Sequence, residues 1–276
     1  MAKFFGFVQF DFAGTLPLAD GRYLAGEPES GEETVLVLQR LGAPPLGERR
    51  RRRRRPAPAE PEPGPVALTR ATVIRAAAPF ESQAEAARWL DEACEAEDTV
   101  EVLATESASL LNRALHAQAV AAADPYGRQL RPEQAERALL GYGSGEETAD
   151  GRFTDARQVD LSPGSGSRRR KRDEELRPQE RVAAVLRGRE QLDVCETLLL
   201  RARADLDAGR EREAALQLRV GLEALLAELD GAVDDPGHEK DMATLRELEA
   251  AEQLAPPEET LEICERILRR RRVLES

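Results

Sequence analysis

The sequence contains few of the residues from which metal and nucleophilic sites are built. It has three cysteines and two histidines among 276 residues. Cys94, Cys195 and Cys264 are far apart, which argues against a disulfide framework and against a zinc site. His116 and His238 lack the spacing of a zinc protease motif. We therefore expect no cofactor and no bound metal.

Long apolar runs are also missing. No stretch approaches the roughly 20 apolar residues of a membrane span. The N-terminal MAKFFGFVQFDFAG is apolar at first, but Gln9 and Asp11 interrupt it before the core of a signal peptide could form. From these absences and the scarce cysteine we expect a soluble, cytoplasmic protein that makes no membrane contact.

Lysine is scarce as well, since Lys3, Lys171 and Lys240 are the only three among 40 basic residues. Arginine supplies the remaining positive charge, a skew that is typical of GC-rich coding, so codon usage accounts for part of its abundance. The formal net charge of −12 argues against a dedicated nucleic-acid coat, because phosphate binding usually rests on a basic surface. Two short basic segments, 46–66 and 161–172, interrupt an otherwise acidic chain.

What the N-terminus does contain is a period-two pattern. One side of the pattern holds Phe4, Val8, Phe10 and Phe12, and the other holds Gln9 and Asp11, which predicts a half-buried strand. The β-branched and leucine-rich segments 33–42 and 66–76 predict further strands. Because two or three strands with one apolar face need a partner surface, we expect helices to cover this sheet.

Helical signals follow the strands. Ser82 with Glu85 and Asp98 with Glu101 each fit a capping box, so a helix is expected to begin at each box. The first helix carries its apolar residues at the spacing of one helix face. The second is expected to end near Pro125.

The next segment has two interpretations. Pro132 predicts a short helix that ends before Gly141, followed by the turn-rich GYGSGEETADGRF at 141–153 and a weak strand around Val159. The alternative is a strand over 139–143. The glycines do not satisfy G-x-G-x-x-G, and no lysine with serine or threonine follows them, so a flexible turn is favoured over a phosphate cradle.

From Pro178 to the end the pattern is helical. Four helices are expected: a long one with an apolar stripe from Val185 to Leu206, broken at Gly209; a second that runs to Gly231; a third around Met242 to Leu248; and a fourth from Pro257 to Leu274. A short connection makes the first two an antiparallel hairpin, and four helices complete a bundle.

The sequence therefore predicts an α+β fold with a small antiparallel sheet and helices, followed by an all-α bundle. We place the sheet domain at 1–161, with a disordered arginine- and proline-rich loop at 43–65. A flexible basic linker at 162–172 joins it to the helical bundle at 173–276.

The stretch LDAGREREAALQLRVGLEALLAEL, residues 206–229, resembles one tetratricopeptide-repeat hairpin. Gly209 is at the turn, Ala214 follows it, and Gly221 is expected at a close helix contact. No second copy is present, and stable arrays need about three repeats, so peptide binding by a repeat array is not implied.

The histidines and acidic residues give no catalytic pattern. His116 is expected to be a neutral structural residue of its helix. His238 lies in DDPGHEKDM, where four carboxylates surround it, and we interpret this segment as a surface loop because it lacks the spacing of a calcium-binding loop. Carboxylate pairs are too common in this chain to identify a general acid and base.

The remaining candidates are two arginine-rich runs and one aromatic residue. The runs could contact phosphates or an acidic partner, but no aromatic residues are interleaved for base stacking. Tyr142 is expected to be an exposed aromatic. The run residues are Arg49, Arg50, Arg51, Arg52, Arg53, Arg54 and Arg55 in the first, and Arg168, Arg169, Arg170, Lys171 and Arg172 in the second.

These observations favour a non-enzymatic interaction or scaffold protein. Its C-terminal amphipathic helices are expected to bind an unknown protein partner or a second copy of the chain. The alternative is an accessory protein that binds nucleic acid non-specifically through the arginine runs, with an affinity that falls steeply with salt. An enzyme would need a cleft that gathers Tyr142, Asp150 and a basic residue.

Overall fold

The computed structural model describes residues 3–26, 33–42, 67–161, 179–229, 235–250 and 257–274. The chain divides into two compact units, Met1–Pro163 and Gly164–Ser276. The fold is α+β, since the first unit contains an antiparallel sheet with helices and the described elements of the second are all helices. The loop predicted at 43–65 and the linker predicted at 162–172 lie outside the described residues.

Six strands form one antiparallel sheet in the first unit. They are β1 (Phe4–Ala13), β2 (Gly21–Gly26), β3 (Glu33–Leu41), β4 (Leu68–Ile74), β5 (Arg137–Ser144) and β6 (Asp155–Val159). Their order across the sheet is β2-β3-β4-β1-β5-β6. The strands predicted over 33–42 and 66–76 are confirmed as β3 and β4.

Strand β1 lies in the middle of the sheet, paired with β4 and β5, and it is buried on both faces. Phe10 and Phe12 belong to the core that the helices cover, whereas Phe7 belongs to a second apolar cluster. Gln9 and Asp11 are also buried. The prediction of a half-buried strand is therefore wrong.

The polar residues of β1 find their partners on β4. Arg70 donates to both carboxylate oxygens of Asp11, at 2.8 and 2.9 Å. The Thr72 hydroxyl donates to Oε1 of Gln9 at 3.2 Å. A buried polar group is costly unless it is hydrogen-bonded, and these cross-strand pairs satisfy that requirement.

Two long helices pack on the sheet, α1 (Gln83–Glu95) and α2 (Glu97–Ala121). The start of α1 is confirmed, because Ser82 Oγ accepts from the backbone N–H of Glu85 at 3.2 Å. The second predicted box does not form: α2 begins at Glu97, and Ala96 at its N-cap makes no side-chain cap. Asp98 thus lies inside the helix.

The segment after α2 departs most from the expected helix and turn. Pro132–Gln134 forms only one 3₁₀ turn, and β5 follows it, so the alternative of a strand over 139–143 is confirmed. The expected turn-rich loop is wrong, since it begins as strand and continues as a short helix, α3 (Gly145–Ala149). The strand expected around Val159 is confirmed as β6.

The described helices of the second unit are α4 (179–186), α5 (Val194–Asp207), α6 (Glu211–Leu229), α7 (Pro236–Ala250) and α8 (Pro257–Leu274). The single long helix expected before Gly209 is two helices, because the chain turns at Gly188 with φ of 67°. The break at Gly209 is confirmed, with φ of 69°.

Helices α5 to α8 share one apolar core, built mainly from leucines with Cys195, Met242, Cys264 and Ile267. The close contact expected at Gly221 is confirmed. A Cβ there would lie 3.1 Å from Leu199 Cδ2 and 3.3 Å from Leu198 Cβ. Glycine therefore lets α5 and α6 pack at short range.

Candidate interaction surface

The two arginine-rich runs lie outside the described residues. This applies to Arg49–Arg55 and to Arg168–Arg172. Phosphate or acidic-partner binding by these runs therefore stays a prediction from the sequence.

Tyr142 is not an exposed aromatic. It is 3% exposed on β5 and belongs to the core beneath the helices. Its ring makes an edge contact with Phe4, with ring centroids 6.1 Å apart. The prediction is wrong because the glycines on both sides of Tyr142 suggested a turn, whereas they are strand residues.

Those glycines are required by packing. A Cβ on Gly141 would lie 2.5 Å from the backbone oxygen of Asp155 and 2.7 Å from Phe7 Cζ. A Cβ on Gly143 would lie 2.5 Å from Thr148 Oγ1. These distances are shorter than ordinary van der Waals contacts. Glycine at these two positions of β5 therefore leaves room for groups on the neighbouring elements.

The histidines occupy different environments. His116 is exposed on α2. His238 is buried, which corrects the expected surface loop: it lies in the first turn of α7, and its Nε2 is 3.4 Å from the backbone oxygen of Leu229. Asp235 caps this helix by accepting from the backbone N–H of His238 at 2.8 Å.

Carboxylates and arginines link the helices at one end of the bundle. Arg270 on α8 lies 3.4 Å from Asp235 and 2.9 Å from Asp241. Arg271 pairs with Asp193, which immediately precedes α5. The arginines of the last helix thus reach carboxylates at the start of α5 and α7.

Asp241 on α7 pairs with two arginines of α8. Arg266 donates to both of its oxygens, at 3.0 and 3.1 Å, and Arg270 donates a third hydrogen bond. The hydrogen bonds from Arg266 hold the pKa of Asp241 below its ordinary value against the opposing effect of burial.

A carboxylate from α6 caps α5. Glu228 accepts from the backbone N–H of Val194 at 3.1 Å and from that of Cys195 at 3.0 Å. Burial raises the pKa of Glu228, but these hydrogen bonds outweigh it and the pKa is lowered. A negative charge here also complements the helix dipole.

Helix α4 is held to this end by one arginine. Arg181 donates to both oxygens of Glu196 on α5, at 2.8 and 2.6 Å, and also to Glu190. Glu196 is buried, and its hydrogen bonds raise the pKa of the Arg181 guanidinium above its ordinary value. The described residues of α4 do not join the apolar core of α5 to α8.

Four large apolar side chains between 182 and 194 are exposed instead. Val182 and Leu186, one turn apart on α4, are 57% and 81% exposed, and Leu192 and Val194 are 56% and 57% exposed. We call these four residues the 182–194 surface. The sequence alone missed it, because the stripe from Val185 to Leu206 suggested one continuous helix with a buried face.

Two kinds of feature are absent from the part of the chain that the structure describes. Within them, no group of three or more histidines, cysteines and acidic residues is arranged to hold a metal ion. None of the described helices has the length and apolar character needed to cross a membrane. Comparisons with protein-family models, with curated proteins and with solved structures found no match.

Proposed function

We propose that the chain is a cytoplasmic, non-enzymatic interaction protein that binds a partner protein through the 182–194 surface. The observation that carries this proposal is the exposure of Val182 and Leu186 on a helix whose described residues lie outside the core of its own unit. The cytoplasmic location rests on the sequence prediction from the sparse cysteines.

The position of α4 supports a binding role. The eight helical residues that the structure describes in α4 are too few to be stable alone in water, so this segment depends on its contacts with the bundle. Arg181 supplies such a contact through ionic hydrogen bonds and leaves Val182 and Leu186 accessible. Burying one such side chain against a partner is worth roughly 1.5–3 kcal/mol before the cost of association.

The charge around the surface indicates the chemistry of the partner. Arg187 and Arg189 are exposed between α4 and Leu192, and neither belongs to an ion pair among the described residues. An apolar groove with an acidic rim is complementary to this arrangement. The partner is thus a protein with such a groove.

The test compares capture by three full-length chains. Tagged wild-type chain, the double variant Val182→Asp/Leu186→Asp and the control Val102→Asp are used to capture proteins from the cells that express the chain. Val102 is an exposed valine on α2 in the other unit. Because all three positions are exposed, the free energy of unfolding is expected to change by no more than about 0.5 kcal/mol per substitution.

A partner held by the wild type and by Val102→Asp, but reduced at least about tenfold by the double variant, is the expected result. The proposal is overturned if the wild type captures no protein. It is also overturned if the double variant retains the partner as well as the control does.

A further inference from the structure

The outward face of α6 carries a second exposed stripe, separate from the 182–194 surface. At about 100° per residue, Arg212, Leu216, Arg219 and Glu223 fall within about 60° of arc, with Val220 beside them. Leu216 is 61% exposed and Val220 is 51% exposed. The opposite side of the same helix forms the core of the unit.

Two of the three charges of this stripe, those of Arg212 and Glu223, are self-complementary. Arg212 and Glu223 lie about 17 Å apart along the helix and only about 20° apart around it. The ion pairs found in the described residues of the second unit use neither residue. The stripe therefore has a positive side chain near one end and a negative side chain near the other. Each can pair with the opposite charge on the same stripe of a second copy that runs antiparallel.

A second α6 placed antiparallel satisfies both groups at once. A two-fold axis between Gln217 and Leu218 brings Arg212 opposite the second copy's Glu223, and the symmetric pair forms at the other end. The same axis places Leu216 opposite the second copy's Arg219. The aliphatic part of that arginine covers the leucine while its guanidinium reaches solvent.

We propose that two copies of the chain associate through an antiparallel α6 pair with these two Arg212–Glu223 contacts. A helix of 19 residues is about 28 Å long, so one helix pair buries less than a standard interface. The dimer is therefore weak and reversible. Because the stripe and the 182–194 surface lie on different helices, either proposal can fail while the other stands.

Sedimentation equilibrium of the full chain tests the proposal, over concentrations from roughly 10 µM to 1 mM. The wild type is expected to dimerise. Arg212→Glu and Glu223→Arg each place two like-charge pairs in the dimer and are expected to weaken it about tenfold. The double variant Arg212→Glu/Glu223→Arg restores opposite charges at both contacts and is expected to dimerise like the wild type.

Mixing the two single variants gives the sharpest result. In the mixed dimer the two substituted side chains face each other with opposite charges, and the two native side chains, Arg212 of one copy and Glu223 of the other, form the second contact. The mixture is therefore expected to associate better than either variant alone. A wild type that stays monomeric to the highest concentration overturns the proposal. Single variants that dimerise like the wild type, or a mixture that gains nothing, overturn it too.

Two leucine-to-aspartate substitutions distinguish association through this stripe from non-specific hydrophobic association. Leu216→Asp is expected to abolish association, whereas Leu200→Asp, at an exposed leucine on α5, is expected to leave it unchanged. Circular dichroism of each variant shows that the fold is retained. Equal loss in both variants would contradict the assignment to α6.

Discussion

Gly141→Ala tests whether the glycine-rich segment is a packed strand. The new Cβ would lie 2.5 Å from the backbone oxygen of Asp155 and 2.7 Å from both Phe7 Cζ and Ala156 Cβ. Asp155 belongs to β6, which pairs with β5, so its backbone oxygen cannot move without disturbing the sheet. Overpacking costs about 1–3 kcal/mol, and three such close contacts place the cost at the upper end. Replacing glycine in a strand returns about 0.5–1 kcal/mol.

The net loss is expected to be about 2 kcal/mol, which corresponds to a melting temperature lower by roughly 4–8 °C. Trp89 is the only tryptophan and contacts Phe80, so its fluorescence reports urea unfolding of the first unit. Gly145→Ala is the matched control, because the nearest atom to its Cβ is Phe5 Cε2 at 3.5 Å. An unchanged midpoint for Gly141→Ala, or an equal loss for Gly145→Ala, would refute the packing argument.

Three further outcomes are expected in the second unit and at the cysteines. Arg181→Met should speed hydrogen exchange of the α4 amides about tenfold, because it removes the bidentate contact with Glu196 on α5. The control Arg201→Met, at an exposed arginine, should leave this exchange unchanged. Mass spectrometry measures the exchange in both variants. The pKa values of Asp241 and Glu228 are lowered, so the folded chain binds fewer protons than the unfolded one. Their contribution to stability is complete above the ordinary carboxyl range and is lost as the pH falls below about 4. Thermal melts between about pH 6 and pH 3 should show this loss, and Asp241→Asn should reduce it. A thiol reagent at neutral pH should modify only the half-buried Cys94 in the native chain. The other two cysteines, Cys195 and Cys264, are buried, and burial raises the pKa of each thiol to about 12. Modification of three thiols without denaturant would contradict this expectation.

The parts of the fold that the sequence predicts are those with a local signal. β-Branched and leucine-rich composition identifies β3 and β4, and Ser82 identifies the start of α1 through a hydrogen bond within one turn. Burial of Gln9 and Asp11 has no such signal, because it depends on β4 and β5, which are distant in the sequence.

The glycines of β5 show why a local rule fails. Gly141 and Gly143 suggest a turn when only their neighbours in the chain are considered. Both glycines are instead required by tertiary packing, because Phe7 approaches Gly141 and Thr148 approaches Gly143. The error in β5 also produced the error at Tyr142, since a turn would have exposed it.

Two further features have a local signal in the sequence. Asp235 followed by Pro236 is an N-cap followed by a favoured first helical residue, which marks the start of α7 and places His238 in its first turn. Gly188 divides α4 from α5, and this break is what leaves Val182 and Leu186 outside the core. The partner of that surface has no signature in a single sequence.

Site-specific photo-cross-linking is the strictest test of partner binding at the 182–194 surface. A benzoylphenylalanine at position 186, in the full chain inside the cell, occupies the most exposed site of that surface; the same residue at position 102 is the control. We expect one discrete cross-linked partner from position 186 and none from position 102, with the product lost when Val182→Asp is added. The same products from both positions, or none from position 186, would contradict partner binding at this surface.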